Sequence, residues 1–148
     1  MEENQNNETQ VTHIEKSLRK IAELVKQKGR EILTQFPITP PQFVALQWLH
    51  EYGDMTIGEL SNKMYLACST TTDLVDRMEK NELVERVKDT TDRRVVRIHL
   101  LEKGATIIGQ VIQKRQDYLS DVLKHLSSEE VNILEKNLSH LYEEMKRD

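Results

Sequence analysis

The sequence predicts a mainly helical α+β chain, and three observations carry that prediction. Apolar residues recur at helical spacing over most of its length. Helix-start signatures punctuate it at Thr39, Thr56 and Ser127. One stretch, between Leu83 and Leu100, alternates apolar with charged residues as a pair of strands does.

Taken in order, residues 1–10 are polar and aperiodic and read as a frayed tail. From His13, the residues Ile14, Leu18, Ile21, Val25 and Ile32 recur at steps of three, four or seven, which describes a long helix. It should end near Phe36, because Pro37 disfavours helical backbone in the residue before it. Thr39 then offers a cap, Pro40 takes the first helical position, and Gln42 closes a capping box. Phe43, Leu46 and Leu49 form the apolar stripe of this second helix, and Gly53 stops it. A further box, Thr56 with Glu59, opens a short helix through about Lys63, with Ile57, Leu60 and Met64 inward. A few residues lead to another helix over about 69–80, whose stripe is Thr71, Leu74, Val75 and Met78. Leu83–Val87 and Val95–Leu100 read as two strands around the turn-rich segment 88–94. Ala105, Ile108, Ile112, Leu119, Val122 and Leu126 describe a second long helix starting at Glu102. Ser127 with Glu130 opens the last, with Val131, Leu134, Leu138, Leu141 and Met145 inward.

Composition narrows the function classes. A chain of 148 residues fits a single domain, 1–148. Of these, 40 are Leu, Ile, Val or Phe, enough to fold, yet charged residues reach 31% against a norm of about 25%. So thin an apolar share suggests a core completed by a second copy. The longest apolar run, Met64–Cys68, is five residues, whereas a membrane span takes about 20. The opening MEENQNNETQ has no apolar stretch and does not read as a secretory signal, so a cytoplasmic setting is expected. One cysteine excludes an internal disulfide and a cysteine-based zinc cage.

Net charge is −4, but it is unevenly spread. Between Arg86 and Arg97 stand five cations (Arg86, Lys88, Arg93, Arg94, Arg97) and two anions (Asp89, Asp92), a local +3 on a body that sums to −7. Short helix, tight turn, second helix and basic hairpin, in that order, make a winged helix-turn-helix over residues 39–101. The second helix of the pair is slim enough for the major groove, where each base pair shows a distinct donor and acceptor pattern. The cations of the hairpin, Lys88, Arg93 and Arg94 at its tip, would meet phosphates or the minor groove. With its stripe inward, the reading helix turns Ser69, Thr70, Asp73, Asp76, Arg77 and Lys80 outward and keeps Thr72 at the side. Short hydroxyls there can bond base edges or pack a methyl against thymine; the same residues are also ordinary helix-start chemistry. Arg77 faces either a phosphate or Asp73, and the carboxylates of Asp73 and Asp76 can accept from a cytosine amine or pair with an arginine.

Here the sequence resembles the MarR family of bacterial transcriptional regulators over nearly its whole length. The family's wing signature, D-x-R, five residues, L-T-x-x-G, is matched by Asp92-Arg93-Arg94, Val95 to His99, and Leu100 to Gly104. Leu74 to Lys80, running into Leu83 to Arg86, is similar to the family's recognition helix and first wing strand. The resemblance implies that Arg94 enters the minor groove, that Asp92 steadies the wing through an arginine such as Arg77, and that Ser69, Thr70 and Thr72 approach the major groove. It also implies dimerisation through long terminal helices, 11–36 and 102–146. A two-fold dimer doubles the sequence read, across half-sites about 10 base pairs apart in a pseudo-palindromic operator. Two departures stand out. Leu101 replaces the usual Thr that would cap the following helix, and Glu82 replaces a common Gly, leaving Asn81 as the residue expected to take the left-handed turn.

The resemblance implies a repressor released by a small-molecule or oxidative signal. Cys68, beside the hydroxyl run, is a candidate redox sensor, since oxidation would add bulk and charge next to the reading helix. Trp48, Tyr52 and Tyr65 could line a pocket for a small aromatic effector between the dimer helices and the winged part. The five histidines lie in different elements without metal-ligand spacing, so neither a metal site nor a cofactor is expected. No glycine-rich phosphate loop and no nucleophile with an evident base point to an enzyme. The alternative to a DNA reader is a winged-helix protein-interaction module, which the net acidity and the carboxylates at 73 and 76 would suit.

Overall fold

The computed structural model describes residues 2–147, which divide into two compact units between Ile112 and Gln113. Helix α1 (Glu2–Leu33) takes in the residues expected to fray. Gln5, Glu8 and Gln10 are good helix formers, and the hydroxyls of Thr9 and Thr12 donate to the Gln5 and Glu8 carbonyls instead of competing with the helix. At its other end α1 stops at Leu33 rather than at Phe36. The amides of Thr34, Gln35 and Phe36 donate to the Glu31, Ile32 and Leu33 carbonyls, i→i+3 bonds that tighten the last turn ahead of Pro37.

Helix α2 (Pro40–Tyr52) begins with the full capping box. The Gln42 amide donates to Thr39 Oγ1 (3.3 Å), and the Thr39 amide donates to Gln42 Oε1 (3.0 Å). Gly53 ends it at φ 82°. The next two residues, Met55–Thr56, form a strand that sequence periodicity did not reveal, β1. The expected two-stranded wing is thus a three-stranded antiparallel sheet of order β1–β3–β2, with Met55 opposite Ile98 and Thr56 opposite Arg97. Two residues are too few to show a period; what fixes β1 is the burial of Met55 and Ile98. Thr56 serves both the sheet and helix α3 (Ile57–Met64): its hydroxyl accepts from the Glu59 amide at 3.1 Å, one arm only of the expected box.

Helix α3 joins α4 (Cys68–Lys80) through Tyr65, whose backbone is left-handed at φ 55°. The Leu66 and Tyr65 amides donate back to Ser61 and Asn62, the paired bonds of a Schellman stop. α4 ends the same way, with the amides of Leu83 and Glu82 donating to Met78 and Glu79. The left-handed residue there is Glu82 (φ 62°), not Asn81, which sits at φ −85°. The reason is register: burying Leu83 against Met78 places the residue between Asn81 and Leu83 at the turn.

Strands β2 (Val84–Lys88) and β3 (Val96–Leu100) pair antiparallel, Val84 opposite Leu100. Leu46, Leu60, Val75, Met78, Leu83, Val84, Ile98, Ile108 and Val111 form the dry centre of the first unit, so α2, α3, α4, the sheet and the start of α5 (Glu102–Leu123) share one core. Gly104 is required there. A Cβ at this position would lie 2.4 Å from the Leu83 carbonyl oxygen and 2.8 Å from Leu100 Cδ1. The same Leu83 carbonyl accepts from the Leu101 amide at 3.0 Å, so α5 starts main chain against main chain.

In the second unit, Ser127 and Glu130 form both arms of their capping box and open α6 (Ser128–Met145). The stripe expected to face inward does not: no residue of α6 is buried, and Ile133, Leu134, Leu138, Leu141 and Met145 lie 37–65% exposed. On α1, likewise, Val11, Ile14, Leu18, Ile21, Leu24 and Val25 stand open to solvent. Amphipathic spacing built these helices, and within each unit the apolar face stays largely exposed.

Candidate nucleic-acid interface

Helix α4 divides cleanly into two faces. Thr71, Val75 and Met78 are fully buried with Leu74 beside them, while Ser69, Thr70, Asp73, Asp76, Arg77 and Lys80 are exposed. Among the described residues, the hydroxyls of Ser69 and Thr70 have no internal partner, and Asp73 and Arg77 form no ion pair. Those side chains are free to meet a ligand. Thr72, at the side, is half-buried and donates its hydroxyl to the Cys68 carbonyl at 2.9 Å. Its methyl and both oxygen lone pairs remain for contact.

Asp76 is engaged elsewhere. Arg86, on β2, donates to Asp76 Oδ1 at 2.6 Å and to Glu79 Oε1 at 3.0 Å, and its own amide donates to Glu79 Oε2 at 3.0 Å. Partial burial opposes the charge on this guanidinium, but the bonds and charges of Asp76 and Glu79 outweigh it and raise its pKa. Arg86, counted in the basic patch by sequence, is therefore a clamp between reading helix and wing. Glu79 was not singled out from sequence. The available signal was its spacing from Asp76, three residues along one helix face, ahead of an arginine in the next strand.

The wing tip is ordered by its own carboxylates. Asp92 accepts from the Arg94 amide (3.1 Å) and Arg94 Nε (3.2 Å), so its partner is the neighbouring wing arginine and not Arg77. Two residues apart, the pair closes locally, which α4 cannot match. Asp89 accepts from the Thr91 hydroxyl (3.1 Å) and pairs with Arg97 (3.4 Å). The Arg94 side-chain and backbone bonds hold the Asp92 carboxyl below its usual range. The Thr91 hydroxyl does the same for Asp89; burial opposes it, and the Arg97 charge and two backbone amides add to the lowering. Arg94 is still 91% exposed, and Lys88 and Arg93 are exposed with no ion pair among the described residues. Of the five wing cations, these three point to solvent.

The aromatic residues gather differently from the expectation. Trp48 and Tyr52 stack at 5.3 Å, and the Lys63 ammonium lies 5.4 and 5.8 Å from their ring centres. An open cleft of about 520 Å³ is lined by Trp48, Met55, Glu59, Asn62, Lys63 and Tyr65. It lies within the winged part, along α2 and α3, rather than between that part and the terminal helices, and Tyr52 backs Trp48 instead of lining it. Cys68 is exposed at the first position of α4. Among the described residues no three of His, Cys, Asp and Glu gather to hold a metal ion, and no helix is long and apolar enough to cross a membrane.

A family model described as the MarR family matches residues 38–96. The HTH-type transcriptional regulator YsmB of Bacillus subtilis (strain 168) is 70% identical over 137 residues, covering 93% of this chain and 94% of the relative. The organic hydroperoxide resistance transcriptional regulator of the same organism is 33% identical and covers 76% of this chain and 80% of its own length. A solved MarR family protein from Bacillus stearothermophilus superposes with a TM-score of 0.89 at 63% identity, over 94% of this chain and 97% of that one. Transcription regulation is common to the two relatives' names, which favours a DNA reader over a protein-interaction module. The winged helix-turn-helix with its outward α4 face and these matches lead to one conclusion: the chain belongs to the MarR family of DNA-binding, helix-turn-helix transcriptional regulators.

Proposed function

We propose that the chain is a homodimeric repressor that reads a pseudo-palindromic operator and lets go on a small-molecule or oxidative signal. In this reading α4 enters the major groove, with Ser69, Thr70 and Thr72 leading and Asp73 and Arg77 following. The wing carries Lys88, Arg93 and Arg94 to the backbone and the minor groove, with Asp92 steadying Arg94. The observation that carries it is the exposure, on α4, of the unpartnered Ser69, Thr70, Asp73 and Arg77 together with three solvent-facing cations at the wing tip. Residues 39–101 form the DNA-binding part, and the apolar faces within 11–36 and 102–146 meet a second copy. The setting is the cytoplasm.

Two features support a signal. The cleft of Trp48, Tyr65, Lys63 and Glu59 offers π faces with one cation and one carboxylate, which suits a small aromatic molecule. Cys68 is exposed where α4 begins, and the relative named for organic hydroperoxide resistance makes peroxide the first oxidant to try. The test is to sequence genomic fragments retained by the purified protein, with and without hydroperoxide. One motif with two-fold symmetry, retained only without oxidant, is the expected result. Unselective retention, or none at low salt, defeats the proposal. Cys68→Ser should bind as before and ignore peroxide; release of that variant would move the signal away from the thiol.

A further inference from the structure

The joint of the helix-turn-helix holds a residue whose conformation and surroundings are both unfavourable. Tyr65 is left-handed (φ 55°, ψ 42°), a region in which a bulky side chain is an outlier and glycine fits without penalty. Its ring is also 96% exposed, against at most 65% for the other large exposed apolar or aromatic residues described. The left-handed turn is the Schellman stop of α3, as at Glu82 after α4, so what calls for a partner is the exposed ring and not the backbone. Among the described residues the Tyr65 hydroxyl has no hydrogen-bond partner. The ring shares an open cleft with Trp48 but is not enclosed by it.

Position gives the ring its partner. α4 starts at Cys68, three residues on, and a reading helix enters the groove with its N-terminal residues. The preceding turn therefore lies at the groove wall, where the sugar-phosphate strand runs. Charge does not oppose it: the one cation and the one carboxylate that share the cleft with the ring, Lys63 and Glu59, offset each other. From these observations we infer that Tyr65 is a further DNA contact: its hydroxyl donates to a backbone phosphate flanking the reading helix, and its ring rests on the adjoining deoxyribose. Such a contact carries no base information; it sets the depth and register of α4. This rests on the DNA-reading orientation of α4 proposed above.

Two variants separate contact from structure. Tyr65→Phe removes only the hydroxyl, and Tyr65→Gly removes the side chain while giving the turn the residue it favours. Each is titrated by fluorescence anisotropy onto an operator fragment and an unrelated duplex at several salt concentrations, with a thermal melt alongside. Tyr65→Phe should weaken binding about two- to tenfold, the range of one net hydrogen bond. Tyr65→Gly should weaken it at least as much while melting no lower than the parent. Both deficits should be equal on the two duplexes, and the salt slope should not change, because every cation is retained. A folded Tyr65→Gly that binds like the parent overturns the contact, as does a deficit confined to the operator. If the parent protein itself binds no duplex, the α4 reading fails, and the Tyr65 contact fails with it.

Discussion

Arg94 projects from the wing 91% exposed, yet the Asp92 carboxylate fixes its direction from one side. Such an arginine is preorganised for a phosphate or a narrow groove, and it exchanges only part of its pairing when DNA arrives. Arg94→Ala should weaken binding on every duplex and flatten the log–log salt dependence by about 0.9 for each phosphate no longer neutralised; unchanged operator affinity at fixed salt would count against a wing that touches DNA. Glu82, like Tyr65, takes the left-handed position of a helix stop. Glu82→Gly should raise stability by about 0.5–1 kcal/mol, the left-handed penalty less the entropy glycine loses on folding, read as a rise in melting temperature. Sequence reasoning reached the outward face of α4 because burial of Thr71, Val75 and Met78 follows directly from helical spacing. It missed Glu82 because conformational preference pointed to Asn81, while the register was set by burying Leu83, a tertiary demand. It gave Asp92 to Arg77 because a motif names a role without naming the nearest partner.

Between elements, main-chain packing and short polar links fix the geometry of α4 and the wing. α5 crosses close over the start of β2 at Gly104, where even a methyl group meets the Leu83 carbonyl. Gly104→Ala should cost about 1–3 kcal/mol, since a carbonyl cannot swing aside as a side-chain tip can, and denaturant unfolding will measure it. The wing depends on two carboxylates whose pKa values lie below the ordinary 3.8. Their contribution is fully present above that value and is lost as pH falls through the lowered ones. Amide resonances of residues 89–95 should therefore hold their native positions down to about pH 4 and shift only in stronger acid; a transition centred above that range would contradict the wing geometry. The three capped helix starts were legible because capping is local chemistry. β1 was not, because its two residues become a strand only by pairing with β3.

Across the whole molecule, the apolar faces of α1 and α6 are the largest unmet demand of the hydrophobic effect. Leu134, Leu138 and Leu141 repeat along α6 and lie 37–50% exposed. Leu138→Glu should convert a two-chain particle into a one-chain particle by light scattering, with operator affinity falling at least a hundredfold as half-sites are bound singly. An unchanged particle mass would place the subunit interface elsewhere. Periodicity revealed these helices, but it does not distinguish a face covered by the same chain from one awaiting another. The clamp from Arg86 to Asp76 and Glu79 has a reach beyond stability. In the DNA reading proposed above, it would make α4 and the hairpin a caliper of fixed gape, and a mismatch in width would be absorbed by bending or twisting the duplex. Base pairs lying between the two jaws, touched by neither, then contribute to choice of site through their stiffness alone.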